Sequence, residues 1–272
     1  MLKRICIFVL GITSLAARAE FPMEQGGRVL LYGNSFVERL QEHGLFEAAI
    51  QMAHPEKKLE FRSLAWTGDE VGYRLRPERY VNHLRKLIER WPAKMVILGF
   101  GLNESFGGAD RVDAFREDLE CYLREMDRRH PEASLILLSP VATEDLDHPH
   151  YPDAWRRNEE IKGFVKVMRE VSSQQGVGFV NLFVPSLEAY GKEKDSLTRN
   201  GIHLNDRGYT MIAKYLSREL LGAETYAGVD FARAEVVAKE VRRKAQYVAS
   251  VVRPVNTVLY FGVRGRAHEY DA

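Results

Sequence analysis

The sequence predicts an α/β domain of the flavodoxin-like, three-layer α/β/α kind, with a five-stranded parallel sheet and a C-terminal helical extension. Two observations carry this. Short apolar runs of strand length alternate with longer stretches in which apolar residues recur every three to four positions. Most of the strand runs are continuously apolar, as strands covered by helices on both faces are, and Leu59 to Leu64 alternates. Strands and helices in strict alternation, with no internal repeat, favour the doubly wound arrangement.

The elements follow in order. Val29 to Tyr32 is a buried strand stopped by Gly33. One helix is expected from Phe36 towards Met52, with Phe36, Leu40, Phe46 and Ile50 on its apolar side. Leu59 to Leu64 reads as a strand. Pro77 opens a helix that continues through Leu84, Leu87 and Ile88. Met95 to Leu98 is the next strand. Asp110 to Arg129 is helical and Pro131 closes it; Cys121 is placed among its apolar residues and read as a small buried thiol. Leu135 to Leu138 is a strand, and a polar, proline-containing loop runs from Pro140 to Pro152. A helix covers Ala154 to Ser172, the last core strand Val177 to Phe183, and a helix Asp206 to Leu220. Val229 to Val252 forms one long, basic, amphipathic helix; Arg253-Pro254 ends it, and Val255 to Val263 is extended and apolar. This appendage either covers an edge of the body or binds a partner.

The 272 residues suffice for one domain with a sizeable core. A net charge of +1 gives no argument for nucleic acid or an anionic membrane as partner. At the N-terminus, Lys3 and Arg4 precede an apolar run from Ile5 to Leu15, and Ala17-Arg18-Ala19 follows. That order reads as a secretory signal peptide cut after Ala19. The run is too short to span a bilayer, and no later stretch is long enough. The expected organisation is a signal peptide over 1–19, one α/β domain over 20–222, and a helix and tail over 223–272, in a secreted or periplasmic protein. An uncleaved membrane tether is the alternative. With Cys6 in the signal, Cys121 stands alone and no intramolecular disulfide forms in the mature chain.

In such sheets, ligands bind at the carboxyl ends of the strands. The residues found there are Gly33-Asn34-Ser35, Trp66-Thr67-Gly68-Asp69, Gly99 to Ser105 with Asn103 among them, and Asn200-Gly201-Ile202-His203. Together they hold what acyl transfer requires. A serine at a helix start attacks while the helix amides hold the oxyanion. Gly68 lets a backbone N–H approach the same oxygen, and the Asn103 amide is a third donor. His203 takes the serine proton and returns it to the leaving group. Each residue alone has a plainer reading: Ser35 as a helix N-cap, Gly68 and Asn103 as turn residues, His203 as a solvated loop residue.

These four segments resemble the SGNH, or GDSL-type, hydrolases, whose name gives one residue for each block: Ser35, Gly68, Asn103 and His203 match in order. The resemblance covers roughly Val29 to Leu220. The stretches Leu31 to Arg39, Leu64 to Asp69 and Phe100 to Phe106, with Arg253 to Thr257, resemble more closely a subgroup common in planctomycete and related bacteria. The resemblance implies an α/β/α fold and ester hydrolysis through Ser35 and His203, with Ser35, Gly68 and Asn103 forming the oxyanion hole.

Three departures stand out. Asn34 replaces the aspartate of Gly-Asp-Ser, and Glu104 replaces the aspartate of Gly-x-Asn-Asp. The third is the most consequential. The triad acid normally lies three residues before the histidine, where this chain has Asn200. A comparable loss in a serine-protease triad costs about 10⁴ in turnover, largely through the wrong tautomer. Three readings stay open. Ser35 and His203 act as a dyad oriented by Asn200 or a backbone carbonyl; another carboxylate, Asp195, Glu104 or Asp206, reaches the histidine; or the domain is weak in catalysis and acts by binding.

Asp147-His148-Pro149-His150 with Asp153 lacks a fixed ligand spacing and reads as a solvated loop rather than a metal site. Trp66 and Phe106 form either ordinary packing or an apolar, sugar-stacking wall. Gly107-Gly108 suits a mobile loop beside Asn103. No dinucleotide or phosphate-loop motif is present, so no cofactor is inferred. Two functions follow. The first is an exported serine esterase acting on a small-molecule or carbohydrate ester. The second is a non-catalytic domain that binds a glycan or a protein.

Overall fold

The computed structural model describes residues 24–72 and 91–252. The signal segment, the helix expected after Pro77 and the tail from Val255 to Val263 lie outside the described residues. Five strands form one sheet: β1 (Arg28–Gly33), β2 (Glu60–Ser63), β3 (Met95–Gly99), β4 (Ser134–Leu138) and β5 (Gly178–Val180). Their order is β2-β1-β3-β4-β5 and every pairing is parallel. This is the flavodoxin-like order, whose switch point lies between β1 and β3.

The period of two along each strand builds two cores. Val29, Leu31, Met95 and Ile97 face one side, where they pack with α1 (Ser35–His43), α2 (Leu45–Ala53) and α6 (Asp206–Leu221). Leu30, Tyr32, Val96 and Leu98 face the other, against α3 (Val112–Arg129) and α4 (Ala154–Gln175). All of these strand residues are buried, and each large apolar side chain so buried contributes roughly 1.5–3 kcal/mol.

The single helix expected from Phe36 to Met52 is two. Gly44 takes φ +81° and ends α1, and α2 starts at Leu45. A Cβ at Gly44 would lie 2.7 Å from the Ala238 carbonyl oxygen. The break therefore sits where α8 (Phe231–Val252) crosses closely, on a stripe of Ala234, Ala238, Val241 and Ala245. Lys244 of α8 pairs with the buried Glu47 of α2 and lies 6.0 Å from the Phe61 ring centroid. The C-terminal helix thus covers α1 and α2. A short helix, α7 (Ala223–Ala227), precedes it.

The last strand stops at Val180, and Phe183 opens a helix, α5 (Phe183–Tyr190), that periodicity did not anticipate. The Asn181 side chain accepts from the Phe183 N–H at 3.0 Å, and the Ser139 hydroxyl accepts from the Leu182 N–H at 2.8 Å; these turn the chain. Cys121 is exposed, not buried. The buried face of α3 is Phe115, Leu119, Tyr122, Leu123 and Met126, and at 3.6 residues per turn position 121 falls across the helix from it. Among the described residues, no helix is long and apolar enough to cross a membrane.

Candidate active site

Gly33 and Gly99 end β1 and β3 and are register partners at the switch point. The close packing there requires glycine. A Cβ on Gly33 would meet the Gly99 carbonyl oxygen at 2.3 Å, and one on Gly99 would meet the Val37 side chain at the same distance. This seats the first turn of α1 on the strand ends. Ser35 is its first residue and is 6% exposed.

Ser35 is not the cap. Asn34 is the N-cap residue, and its Oδ1 accepts from the Phe36 N–H at 3.1 Å. The residue that departs from Gly-Asp-Ser therefore does the capping, which an asparagine does as well as an aspartate. No hydrogen bond of the Ser35 hydroxyl occurs among the described residues, so it is available to react. Its amide lies in the first turn of α1, where N–H groups lack helical partners.

Hydrogen bonds join the next two segments to this one. Trp66 N–H donates to the Gly33 carbonyl at 2.8 Å, and the Thr67 hydroxyl donates to Glu38 of α1 at 2.7 Å. Gly68 is exposed with φ +83°, and a Cβ there would touch nothing within 4 Å. Glycine serves the backbone conformation at this position rather than a tight fit. Asn103 Nδ2 donates to the Asp69 carbonyl at 3.1 Å. An amide nitrogen carries two N–H groups, so this bond fixes the side chain and leaves one donor for a ligand.

Glu104 is 6% exposed and acts as a clamp. Its two oxygens accept from the Gly101 N–H at 2.8 Å and the Val71 N–H at 2.9 Å, tying the second segment to the third. Burial pushes its carboxyl up to about 7, against the lowering effect of those N–H groups. Next to it, Arg157 of α4 donates to the Ser105 carbonyl and hydroxyl at 2.9 and 2.7 Å and covers the Phe106 ring at 4.0 Å. Phe106 is 53% exposed, and Trp66 is half-buried.

His203 lies in a loop closed by an antiparallel bridge between Thr198 and Leu204 and by Arg199 N–H donating to the His203 carbonyl at 2.8 Å. Asn200 Oδ1 accepts from the backbone N–H of His203 at 2.9 Å and lies 3.2 Å from its ring Nδ1. The backbone N–H can only donate, so the atom facing it is the oxygen of the amide. That same oxygen then requires a proton on Nδ1, which leaves Nε2 as the basic nitrogen. Asn200 thus sets the tautomer, although it brings no charge.

None of the three candidate carboxylates replaces it. Asp195 pairs with Arg207, Asp206 is exposed and lies 3.9 Å from Arg199, and Glu104 is held by the two backbone N–H groups. Burial lowers the His203 pKa, and the charges of Arg39 and Arg199 lower it further. Arg39 is one turn along α1 from Ser35, and Leu204, next to His203, packs in the same apolar core as Phe36, Val37 and Leu40 of α1, so the histidine loop lies on the α1 side of the sheet. Tyr209 of α6 fastens it there, with its ring stacked 6.1 Å from Phe36 and its hydroxyl donating to the Phe36 carbonyl at 3.4 Å.

The structure thus brings the four segments to one edge of the sheet. Sequence reasoning missed the capping role of Asn34, the clamp formed by Glu104, and Glu144, a buried loop acid that also reaches the histidine loop. Only the cap had a local signal, since asparagine before a helix start is a preferred cap. The His148 ring packs tilted against Tyr151, with centroids 4.5 Å apart. Among the described residues, no group of three or more His, Cys, Asp or Glu side chains is placed to hold a metal ion.

Comparison with known proteins agrees with this architecture. Residues 31–211 match the model of the GDSL-like lipase/acylhydrolase family. No curated protein matches the chain. Among solved structures, the chain is similar to an acetylxylan esterase from Geobacillus stearothermophilus, with 15% identity over 75% of this chain and 98% of that one and a TM-score of 0.58. It is also similar to an alpha/beta hydrolase enzyme from the metagenome of Lake Arreo, Spain, with 18% identity over 74% and 98% of the two chains and a TM-score of 0.54. At such identities the likeness speaks for the fold, and the family match speaks for the chemistry. The chain belongs to the GDSL-like lipase/acylhydrolase family and is an enzyme that hydrolyses ester bonds.

Proposed function

We propose that this protein is an exported esterase that removes short acyl groups, acetyl foremost, from carbohydrate through an acyl-enzyme on Ser35. The observation that carries the reading is the division of labour at the start of α1. Asn34 caps the helix, which leaves the Ser35 hydroxyl free beside unpartnered N–H groups.

The Ser35 hydroxyl oxygen attacks the ester carbonyl carbon, and its proton passes to Nε2 of His203. The resulting oxyanion is held by the N–H groups of Ser35 and Gly68 and by the second Nδ2–H of Asn103. The intermediate collapses, the carbon–oxygen bond to the alcohol breaks, and that oxygen takes the proton from Nε2. Water then attacks the acyl carbon with His203 again accepting a proton, which frees the carboxylic acid and restores Ser35. Asn200 keeps the ring oriented through both halves. The carbohydrate part of the proposal rests on the exposed Phe106 ring, the half-buried Trp66 that opens the second segment, and the fold shared with an acetylxylan esterase. Export rests on the basic, apolar and small-residue order that ends at Ala19.

The second reading, a catalytically weak domain that acts chiefly by binding, is favoured by the neutral Asn200 behind His203. A fluorophosphonate probe separates the two. The folded protein is expected to be labelled on Ser35, with labelling and aryl-acetate hydrolysis both lost in Ser35→Ala. Hydrolysis that survives Ser35→Ala, or folded wild type that never labels, refutes the mechanism.

A further inference from the structure

Glu144 lies six residues beyond β4, in the loop that leads to α4, and is 6% exposed. Among the described residues no cation pairs with it. Its partners all come from the histidine loop. The carboxylate accepts from the Leu197 N–H at 3.0 Å, from the Thr198 N–H at 2.7 Å and from the Thr198 hydroxyl at 2.6 Å. The Thr198 hydroxyl in turn accepts from the Gly201 N–H at 3.0 Å. The Glu144 N–H closes the circle by donating to the Gly201 carbonyl at 2.8 Å. These contacts bracket Asn200 on both sides. Gly201 has φ +80°, and a Cβ there would lie 2.9 Å from the Glu144 carbonyl oxygen, so the two segments are in direct contact.

The support under Glu144 is rigid. The Thr143 N–H donates to Asn158 of α4 at 2.7 Å, and Asn158 donates back to the Thr143 carbonyl at 2.9 Å. The Ala142 N–H donates to Ser186 of α5 at 2.8 Å, and the Tyr190 hydroxyl donates to the Ala142 carbonyl at 3.2 Å. Two helices therefore fix the segment from which the carboxylate reaches out.

A buried carboxylate without a cation is costly, and its three donors must offset that cost. No neutral side chain of its size offers two acceptor oxygens to converging donors. Asn200 cannot attract an imidazolium as a carboxylate would, so the position of the loop carries more of the burden of holding His203. We propose that Glu144, acting through Thr198, is a positioning residue for the Asn200–His203 pair. The inference rests on His203 being the base of the reaction above, and it moves the acid expected three residues before the histidine to a place beneath the loop.

The test uses the full chain with an aryl acetate as substrate. Glu144→Gln keeps the shape but sets an NH₂ group against backbone donors. Thr198→Val removes the relay to Gly201, and Thr198→Ser restores the hydroxyl. In folded Glu144→Gln and Thr198→Val, kcat is expected to fall about 10- to 100-fold with KM nearly unchanged, the scale of a small misplacement of a reacting group. Thr198→Ser is expected to keep most of kcat. A second readout does not need turnover. The His203 Nδ1–H proton resonance of the wild type, identified by its loss in His203→Gln, is expected to broaden or vanish in Glu144→Gln and Thr198→Val and to persist in Thr198→Ser.

If Glu144→Gln does not fold, the two Thr198 variants decide. Wild-type kcat together with an unchanged Nδ1–H resonance in the folded variants overturns the inference, as does equal loss in Thr198→Val and Thr198→Ser. If instead the wild type shows no Ser35-dependent turnover while the resonance still responds as expected, the acyl-enzyme reading fails and the positioning role stands.

Discussion

Replacing Asn200 with aspartate puts a charge where the histidine now meets a neutral oxygen, and the structure bounds the gain. The ring Nδ1 lies 3.2 Å from Asn200 Oδ1. A unit charge pair about 4 Å apart interacts by about 4 kcal/mol at an effective dielectric of about 20. The pair is only part-buried, so solvent screening reduces this to about 1–2 kcal/mol. Applied to the imidazolium that forms in the transition state, that is roughly a 5- to 30-fold rise in kcat/KM. The much larger factor of about 10⁴ seen in protease triads comes mostly from tautomer control. Asn200 already exerts that control here, because the His203 N–H orients its oxygen.

The pH profile adds a signed check. Catalysis needs neutral Nε2, so activity is lost as pH falls through the His203 pKa. In the wild type, burial, Arg39 and Arg199 hold that pKa below the usual histidine value. Aspartate raises it, so the acid limb of Asn200→Asp moves to higher pH. The assay is kcat/KM on an aryl acetate between pH 5 and 9, with the comparison made on the alkaline plateau. A gain near 10⁴ would show that the native ring holds the wrong tautomer. No gain and no shift of the limb would show that His203 does not accept the proton.

Two further predictions follow. The Glu104 carboxyl titrates near 7 in the folded chain and near 4.5 when unfolded, so the folded state binds more protons between those values. Relative to Glu104→Gln, the wild type is expected to lose up to about 3 kcal/mol as pH rises from 4.5 to above 7, measured by urea unfolding; a pH-independent difference would contradict the burial of that group. Expressed from Met1 in a bacterial host, the protein is expected outside the cytoplasm with Glu20 as its first residue, and N-terminal sequencing that finds Met1 on the exported chain would contradict cleavage.

Much of the architecture is legible in local pattern. The runs Val29 to Tyr32, Met95 to Leu98 and Leu135 to Leu138 are continuously apolar because both faces of those strands are covered, and they mark where β1, β3 and β4 end. The chemistry-bearing residues follow those ends, so Ser35 and Asn103 stand out without any coordinates. Where one strong pattern met a tertiary demand, local reading failed. Phe36 to Met52 keeps helical period through Gly44, but the close passage of α8 breaks it. Cys121 lies close in sequence to Leu119, Tyr122 and Leu123 but across the helix from them.

The sequence by itself determined the class of fold, the order of the four segments and the neutral residue behind His203. These are set by periodicity and by residue identity, which are properties of a few neighbouring positions. Only the tertiary structure decided that Asn34 rather than Ser35 caps α1, that Asn200 and, among the described residues, no carboxylate meets the histidine ring, and that Glu104 and Glu144 serve as buried anchors. The physical reason is common to all of them. A hydrogen bond depends on where donor and acceptor meet, and Glu144 meets Thr198 across 54 residues of chain that carry no trace of the contact.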